Sequence, residues 1–389
     1  MGPGVGLGDG AVAIPMIATT SVDTPVVSVL GGGQLGRMLA LAGRPIGIDF
    51  RFLDPSRDAT AGSFGRLVVG ELGDLVAVDE VARGATVVTY EWEGVPADAA
   101  RAAGKHAPVR PDPRALDVAQ DRLAEKQTFE HLGIGVAPYA AVDDRDSLEA
   151  AVGVIGLPAI LKTRRGGYDG KGQHALERAA DVDAAWNALG GVSLILEGRI
   201  PFTRELSVLA VRGLDGDTRC YPLVENEHAG GILRVSRAPA PDLSAELQAS
   251  GESIATRLLD HLGYVGVLAV ELFEHEGRLL ANELAPRVHN SGHLTIEGAE
   301  TSQFENHLRA VLGMALGSTE MRGFAGMVNC IGTMPDAAAV ARVTGAVLHD
   351  YVKQPREGRK LGHVTVVANS AKERDDRLRA VIEIVGEDR

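Results

Sequence analysis

Val270-Glu271-Leu-Phe-Glu-His275-Glu-Gly277-Arg-Leu-Leu-Ala-Asn282-Glu283-Leu-Ala-Pro-Arg287-Val-His289-Asn290-Ser-Gly-His293 reads as two short strands joined at a glycine, with a polar cluster directly behind them. A three-residue loop, His275-Glu276-Gly277 with Gly277 in the left-handed region, would set Glu271 opposite Ala281 and Glu283 two positions along on the same face. A two- or four-residue loop would send the carboxylates to opposite faces unless a bulge intervened. Apolar neighbours such as Ala269, Val270 and Leu284 argue against two glutamates on a solvated strand. Two convergent carboxylates suit Mg²⁺, which takes one or two such ligands and fills its shell with phosphate oxygens and water. Arg287, His289 and Asn290 then offer donors to an anion beside the metal.

Outward from this hairpin, the chain changes character along its length. Pro25 to Leu30 is a β-branched run ending in glycines, Gln34 to Ala42 has helical spacing, and Phe50 to Asp54 and Thr86 to Glu91 read as strands. Helices are expected over Val76–Arg83 and Pro96–Ala103, so strands alternate with helices as in a parallel sheet with crossovers. Arg114 to His131 reads as one long amphipathic linking helix. Beyond it, strand signals crowd together at Leu157–Lys162, Ser193–Glu197, Glu205–Val211 and Thr218–Val224. Leu243–Leu262 and Ser302–Leu312 are helical, and Met327–Gly332 and Gly345–Leu348 suggest a small β-rich end. Such runs of strands indicate mixed or antiparallel sheets.

The formal charge of −13 argues against broad nucleic-acid binding, which needs a basic footprint. No stretch reaches the roughly 20 apolar residues of a membrane span. Cys220 and Cys330 sit in apolar runs without metal-ligand spacing, as expected of reduced residues in a cytoplasmic protein. Residues 1–24 are glycine-rich, lack the basic stretch of a signal peptide, and are expected to be a disordered leader.

Other constellations carry chemistry of their own. Gly31-Gly-Gly33-Gln34-Leu35-Gly36 follows a strand and opens a helix, with Asp54 ending the next strand. That pattern meets the dinucleotide fingerprint, and its physical content, a backbone nest at a helix N-terminus, suits other phosphate ligands as well as NAD. Arg164-Arg165-Gly166-Gly167-Tyr168-Asp169-Gly170-Lys171-Gly172 lies between a strand and a helical stretch; its amides can close over phosphates with Lys162 behind them. Glu197 reads alone as a solvated strand end, and Glu205 and His228 are weak singly. His289 and His293 are spaced for zinc, but Pro286 and Gly292 oppose a regular helix across them and no third soft ligand is evident. Lys353, Arg356, Arg359, Lys360 and His363 form a basic island fit for a phosphate monoester.

Four segments in order, Gly32-Gly-Gln-Leu-Gly-Arg-Met38, Arg165-Gly-Gly-Tyr-Asp-Gly-Lys-Gly-Gln173, Asn282-Glu-Leu-Ala-Pro-Arg-Val-His-Asn-Ser-Gly-His293 and Gly358-Arg-Lys-Leu-Gly-His363, resemble the ATP-grasp ligases. Among these they are most similar to the N5-carboxyaminoimidazole ribonucleotide synthetases of purine biosynthesis, over Val26 to about Val367. The resemblance implies α/β and α+β architecture: an ATP-grasp fold with an N-terminal Rossmann-like parallel-sheet domain (25–125), a central domain (126–320) and a small β-rich C-terminal domain (321–389). It implies that ATP is held by Arg122, Lys162, Gly167, Tyr168, Asp169, Gly170, Lys171, Gly172 and Gln173. Glu197, Gly198, Arg199 and Ile200 would hold the adenine and Glu205 the ribose. His228, Asn282 and Glu283 would complete the nucleotide site. Mg²⁺ would sit on Glu271 and Glu283.

Bicarbonate and 5-aminoimidazole ribonucleotide would meet Gln34, Leu35, Glu91, Tyr168, Asp169, Arg287, Lys353, Arg359 and Lys360, with Arg287, His289 and Asn290 nearest the chemistry. The resemblance also implies a homodimer. Trp92 and Gly94 depart from the family pattern, which often has an aliphatic residue and His there. The competing readings are another ATP-grasp ligase, such as the formate-dependent glycinamide ribonucleotide transformylase, an NAD-dependent dehydrogenase, or a nucleotide sensor without activity.

Overall fold

The computed structural model describes residues 1, 24–167 and 171–386. The expected leader, apart from its ends, and Tyr168, Asp169 and Gly170 lie outside the described residues. Among those described, no helix is long and apolar enough to cross a membrane.

The first layer is a parallel sheet in the order Arg66–Val69, Asp49–Asp54, Val26–Leu30, Val87–Tyr90. Its central strand is buried on both faces, with Val27, Val29 and Leu30 fully buried and Ser28 donating to the Val81 carbonyl, as crossover helices on the sheet require. The helix Gln34–Gly43 starts directly beyond that strand, and Leu75–Ala82 begins at Asp74, whose carboxylate accepts from the Val76 amide.

The expected single helix over Arg114–His131 is two, Arg114–Ala119 and Arg122–His131. Asp121 breaks it: its backbone is extended, its carboxylate caps the Leu123 amide, and Arg164 pairs with the same carboxylate at 2.7 Å. Apolar periodicity runs unbroken across both pieces, so only the capping chemistry marks the division.

A small antiparallel sheet follows, ordered Tyr139–Val142, Leu194–Gly198, Ala159–Thr163, Gln173–Leu176. The glycine-rich segment is therefore the connection of a hairpin between two strands, with Lys162 opposite Gln173, and not a strand-to-helix loop.

The largest sheet is antiparallel throughout. It runs Arg278–Ala285, Gly266–His275, Arg204–Arg212, Val224–Ala229, Ile232–Ala238, Phe324–Ile331, Lys360–Ala368, Ala346–Asp350. The expected strand Thr218–Val224 is cut to Thr218–Cys220, and a separate strand starts at Val224. Ala245–Leu262 backs this sheet with Ile254, Ala255, Leu258, Leu259 and Leu262 inward; Ser244 caps its start and left-handed Gly263 ends it. Each fully buried leucine there contributes roughly 1.5–3 kcal/mol. The strands after residue 321 continue the same sheet and are covered by Ala371–Val385. The basic island read as one segment in fact leads into the nine-residue strand Lys360–Ala368, where Leu361 and His363 are fully buried.

Candidate active site

The hairpin closes with two residues, not three. His275 pairs with Arg278, and Glu276 and Gly277 take φ of 50° and 72°, the tight turn in which both central residues are left-handed. The carboxylates still converge because Asn282 is an extra residue: Glu271 pairs with Glu283, but Leu272 pairs with Ala281. Without that bulge a two-residue turn would have turned Glu283 away. Residues directly opposite across an antiparallel pair share a face. Glu283 is exposed at the mouth of the site and Glu271 is half-buried. Burial, then the charge of Glu283, push the Glu271 carboxyl up to about 7. Two carboxylates set together on one face fit a hard divalent cation.

Across the small sheet, Glu197 is 4% exposed and no solvated strand end. Its Oε2 lies 3.1 Å from Lys162 Nζ and 3.3 Å from Lys126 Nζ, while Oε1 is buried with no hydrogen-bond partner among the described residues. Burial alone would raise the Glu197 carboxyl, but the two ammonium groups outweigh it and hold it below the usual range. The following backbone is fixed as well, because the Gly198 and Arg199 amides donate to the Pro138 and Pro158 carbonyls. The Arg199 side chain turns to Glu177 at 2.5 Å. Glu205 and His228 meet at 2.7 Å on neighbouring strands. Burial pulls the His228 imidazole down, but the bond to Glu205 and the charge of Glu271 raise it overall.

Arg122 donates to the carbonyls of Thr163 at 3.0 Å and Gly167 at 3.3 Å, so it grips the base of the glycine-rich connection. Gly172 closes the other side with φ of 69°, its carbonyl accepting from the Thr163 amide. Arg164 and Arg165 both lie on Asp121.

Arg287, His289 and Asn290 follow the hairpin directly and reach different neighbours: Glu93, Glu271 and Asn329. Arg287 Nε donates to Glu93, a residue the sequence reading passed over two positions from Glu91. His289 lies at the end of a buried relay crossing the large sheet. Ser236 donates to Asn226 at 2.8 Å, Asn226 to Ser207 at 3.0 Å and Ser207 to Ser291 at 2.8 Å; Ser291 Oγ is 2.9 Å from His289 Nδ1. The Ser291 amide also donates to Nδ1, which leaves the ring proton on Nε2, 3.4 Å from Glu271 Oε1. Burial and then Arg287 hold this imidazole well below its ordinary range. Asn290 and Asn329 exchange amide hydrogen bonds at 3.1 and 2.7 Å. His293 turns elsewhere, bonded to Gln303 and packed on Phe304, so the zinc spacing finds no shared centre.

The glycine turn is already filled. The amides of Gly33 and Gly36 donate to the two oxygens of Glu91, and Gly32 donates to Asp54 at 2.9 Å. A Cβ at Gly31, where φ is 108°, would press into the Glu91 side chain. Burial raises the Glu91 carboxyl, offset in part by these amides. The donors that a dinucleotide pyrophosphate would need are thus committed within the protein, which removes the NAD reading. Gln34 stands at the rim, accepting from Lys353 Nζ. The Leu35 side chain belongs to the core, leaving its backbone for any ligand. Arg359 donates to the Gln354 carbonyl at 3.0 Å, and Lys360 opens the strand opposite Ile331.

Similarity to known proteins extends along nearly the whole chain. Residues 25–120 match a ribonucleotide synthetase preATP-grasp domain, 127–304 an ATP-grasp domain and 325–377 a phosphoribosylaminoimidazole carboxylase C-terminal domain. The N5-carboxyaminoimidazole ribonucleotide synthase of Pseudomonas aeruginosa is 52% identical over 87% of this chain and 94% of its own. The crystal structure of the synthetase from Thermus thermophilus superposes with a TM-score of 0.90 at 54% identity, covering 93% of this chain and 99% of that one. The Aspergillus clavatus synthase, solved in complex with ADP and 5-aminoimidazole ribonucleotide, gives 0.87 at 30% identity over 93% and 98% of the two chains. The chain belongs to the N5-carboxyaminoimidazole ribonucleotide synthase family of ATP-grasp enzymes.

Proposed function

We infer that this chain is an ATP-dependent carbon–nitrogen ligase that carboxylates 5-aminoimidazole ribonucleotide with bicarbonate, releasing ADP and phosphate. The observation that supports the reading is the contact between the carboxylate pair and the block behind it: Glu283 pairs with Glu271, and His289 Nε2 lies 3.4 Å from Glu271 Oε1. The division of labour follows the three segments 25–125, 126–320 and 321–389.

Bicarbonate is a poor electrophile, so its oxygen first attacks the γ-phosphate to give carboxyphosphate and ADP. Lys162 and Arg122, with the amides of the glycine-rich connection, hold the phosphates in line. Magnesium on Glu271 and Glu283 would screen the charge of the transferring phosphoryl group. Arg287, kept charged by Glu93, and Asn290, fixed by Asn329, bind the carboxyphosphate oxygens. The exocyclic amine of the ribonucleotide then attacks the carboxyl carbon and phosphate leaves. With its proton on Nε2, His289 donates a hydrogen bond and is no base in that tautomer; the departing phosphate can take the amine proton. Lys353 and Lys360 hold the ribonucleotide phosphate, and Gln34 orders Lys353.

The test is ribonucleotide-dependent ADP release from ATP, magnesium and bicarbonate. Activity with formate and glycinamide ribonucleotide in its place would overturn the assignment. A homodimer goes with the proposal and is checked by light scattering.

A further inference from the structure

Neighbouring side chains on the helix Arg122–His131 reach the two peptide groups that flank Glu283. Glu125 Oε1 accepts from the Leu284 amide at 2.6 Å, and Lys126 Nζ donates to the Asn282 carbonyl at 2.7 Å. Both are almost wholly enclosed, at 2% and 1% exposure. Arg278–Ala285 is the edge strand of the large sheet, so its outward peptide groups need partners. The bulge at Asn282 determines which groups look outward: Ala281 donates to the Gly135 carbonyl at 2.8 Å, and the next outward groups fall to Lys126 and Glu125. Glu283 itself stays paired to Glu271 across the strand.

We propose that Glu125 and Lys126 are positioning residues that clamp the bulge from outside and so fix the Glu283 carboxylate for the metal–nucleotide complex. The inference rests on the assignment of Glu271 and Glu283 as metal ligands. The same ammonium of Lys126 lies on Glu197 at 3.3 Å, so one lysine ties the metal strand to the strand that leads to the adenine segment. The same helix begins with Arg122 on the glycine-rich connection. A bulge is the softest point of a strand, because its extra residue has no ladder partner. Held only by the turn and by Glu271, Glu283 would sample several orientations; held on both flanks, it is preset.

The experiment is Mn²⁺ binding to the enzyme–ADP complex, read by electron paramagnetic resonance, beside ADP binding without metal. Glu125→Ala is expected to weaken Mn²⁺ at least tenfold and metal-free ADP by less than threefold. Glu125→Gln, which keeps an oxygen for the Leu284 amide, restores Mn²⁺ affinity to within threefold of wild type. If Glu125→Ala does not fold, Lys126→Met carries the Mn²⁺ expectation alone through the Asn282 carbonyl, because its ammonium also serves Glu197 and metal-free ADP binding is expected to weaken with it. A folded Glu125→Ala or Lys126→Met variant that binds Mn²⁺ like wild type overturns the clamp, as does a Glu125→Gln variant no better than Glu125→Ala. Glu283→Gln separates the two levels. If it binds Mn²⁺ normally, the metal assignment itself fails; if it is impaired while Glu125→Ala is not, only the clamp fails.

Discussion

The ribonucleotide side of the site makes a prediction that can be worked through in pH. Lys353 is partly buried, and that burial, followed by the like charges of Arg359, Lys360 and Arg356, lowers its ammonium to about 8; Glu91 pulls the other way without prevailing. Its other close neighbours are Gln34, which accepts from it, and the Tyr351 ring, whose centroid is 5.9 Å away. The fold disfavours the charged form, so the proton is lost within the assay range, and the loss of binding comes on raising the pH. A phosphate monoester is already dianionic there, with its second pKa about 6. For a single site centred at about 8, the ammonium fraction falls from about 0.9 at pH 7 to about 0.1 at pH 9, and apparent affinity scales with the competent fraction. We therefore expect kcat/KM for the ribonucleotide to fall about tenfold over that interval, because it reports free-enzyme ionisations. The phosphate, once bound, favours the ammonium, so kcat should fall much less. Lys353→Arg should flatten the profile because a guanidinium stays charged, whereas Lys353→Met should be flat with a uniformly raised KM. The assay is ADP release at saturating ATP and bicarbonate between pH 6.5 and 9.5, with the KM for ATP as internal control. A wild-type profile level from pH 7 to 9, or a descending limb that survives in Lys353→Arg, would refute the role given to this lysine.

Glu283→Gln should abolish turnover while circular dichroism and Tm stay near wild type, since the residue is exposed and its volume unchanged; near-normal activity would contradict its metal role. Asn329→Ala breaks the reciprocal amide pair with Asn290 and should lower stability by about 1–3 kcal/mol, the penalty for unpaired buried polar groups. It should also reduce kcat with the KM for ATP unchanged, and an ATP effect alone would show that Asn290 serves the nucleotide. Glu91→Gln replaces an acceptor of the Gly33 and Gly36 amides with an NH₂ group. Calorimetry should show a loss of about 1–3 kcal/mol, with the ribonucleotide KM raised; equal stability would mean the turn does not need the second acceptor.

What could be read from the chain was local. Glu271 and Glu283 lie on one hairpin, and the requirement for an odd loop or a bulge followed from strand alternation alone. Which of the two occurs depends on the backbone at Glu276 and Asn282, where residue type is a weak guide. Arg287 was found by its neighbours, but its partner Glu93 is 194 positions away, and no pattern joins them. Lys353 and Gln34 are 319 apart. Lys126 and Glu125 fall inside the stretch read as one amphipathic helix, and the burial of their charges is imposed by the strand edge and by Glu197. Lys360–Ala368 escaped because its basic entry masks the apolar run that follows.

The Gly31–Gly36 turn shows why such a motif carries less chemistry than its letters suggest. The glycines are needed for backbone reasons: one lies at φ of 108°, and Cβ atoms at Gly31 and Gly33 would meet the Glu91 side chain. The helix N-terminus behind them attracts an anion. Both requirements hold whether that anion is a pyrophosphate or a carboxylate from the next parallel strand. Here Glu91, one residue past the end of Val87–Tyr90, is carried to the turn by the sheet order, since Val26–Leu30 lies directly between Asp49–Asp54 and Val87–Tyr90. A parallel sheet places the ends of adjacent strands together, so an acid at the end of one neighbour can satisfy the nest at the end of the other. The discriminating signal was therefore in Thr89-Tyr-Glu91, more than fifty residues from the glycines, and only the strand order turns it into a statement about what the glycines bind.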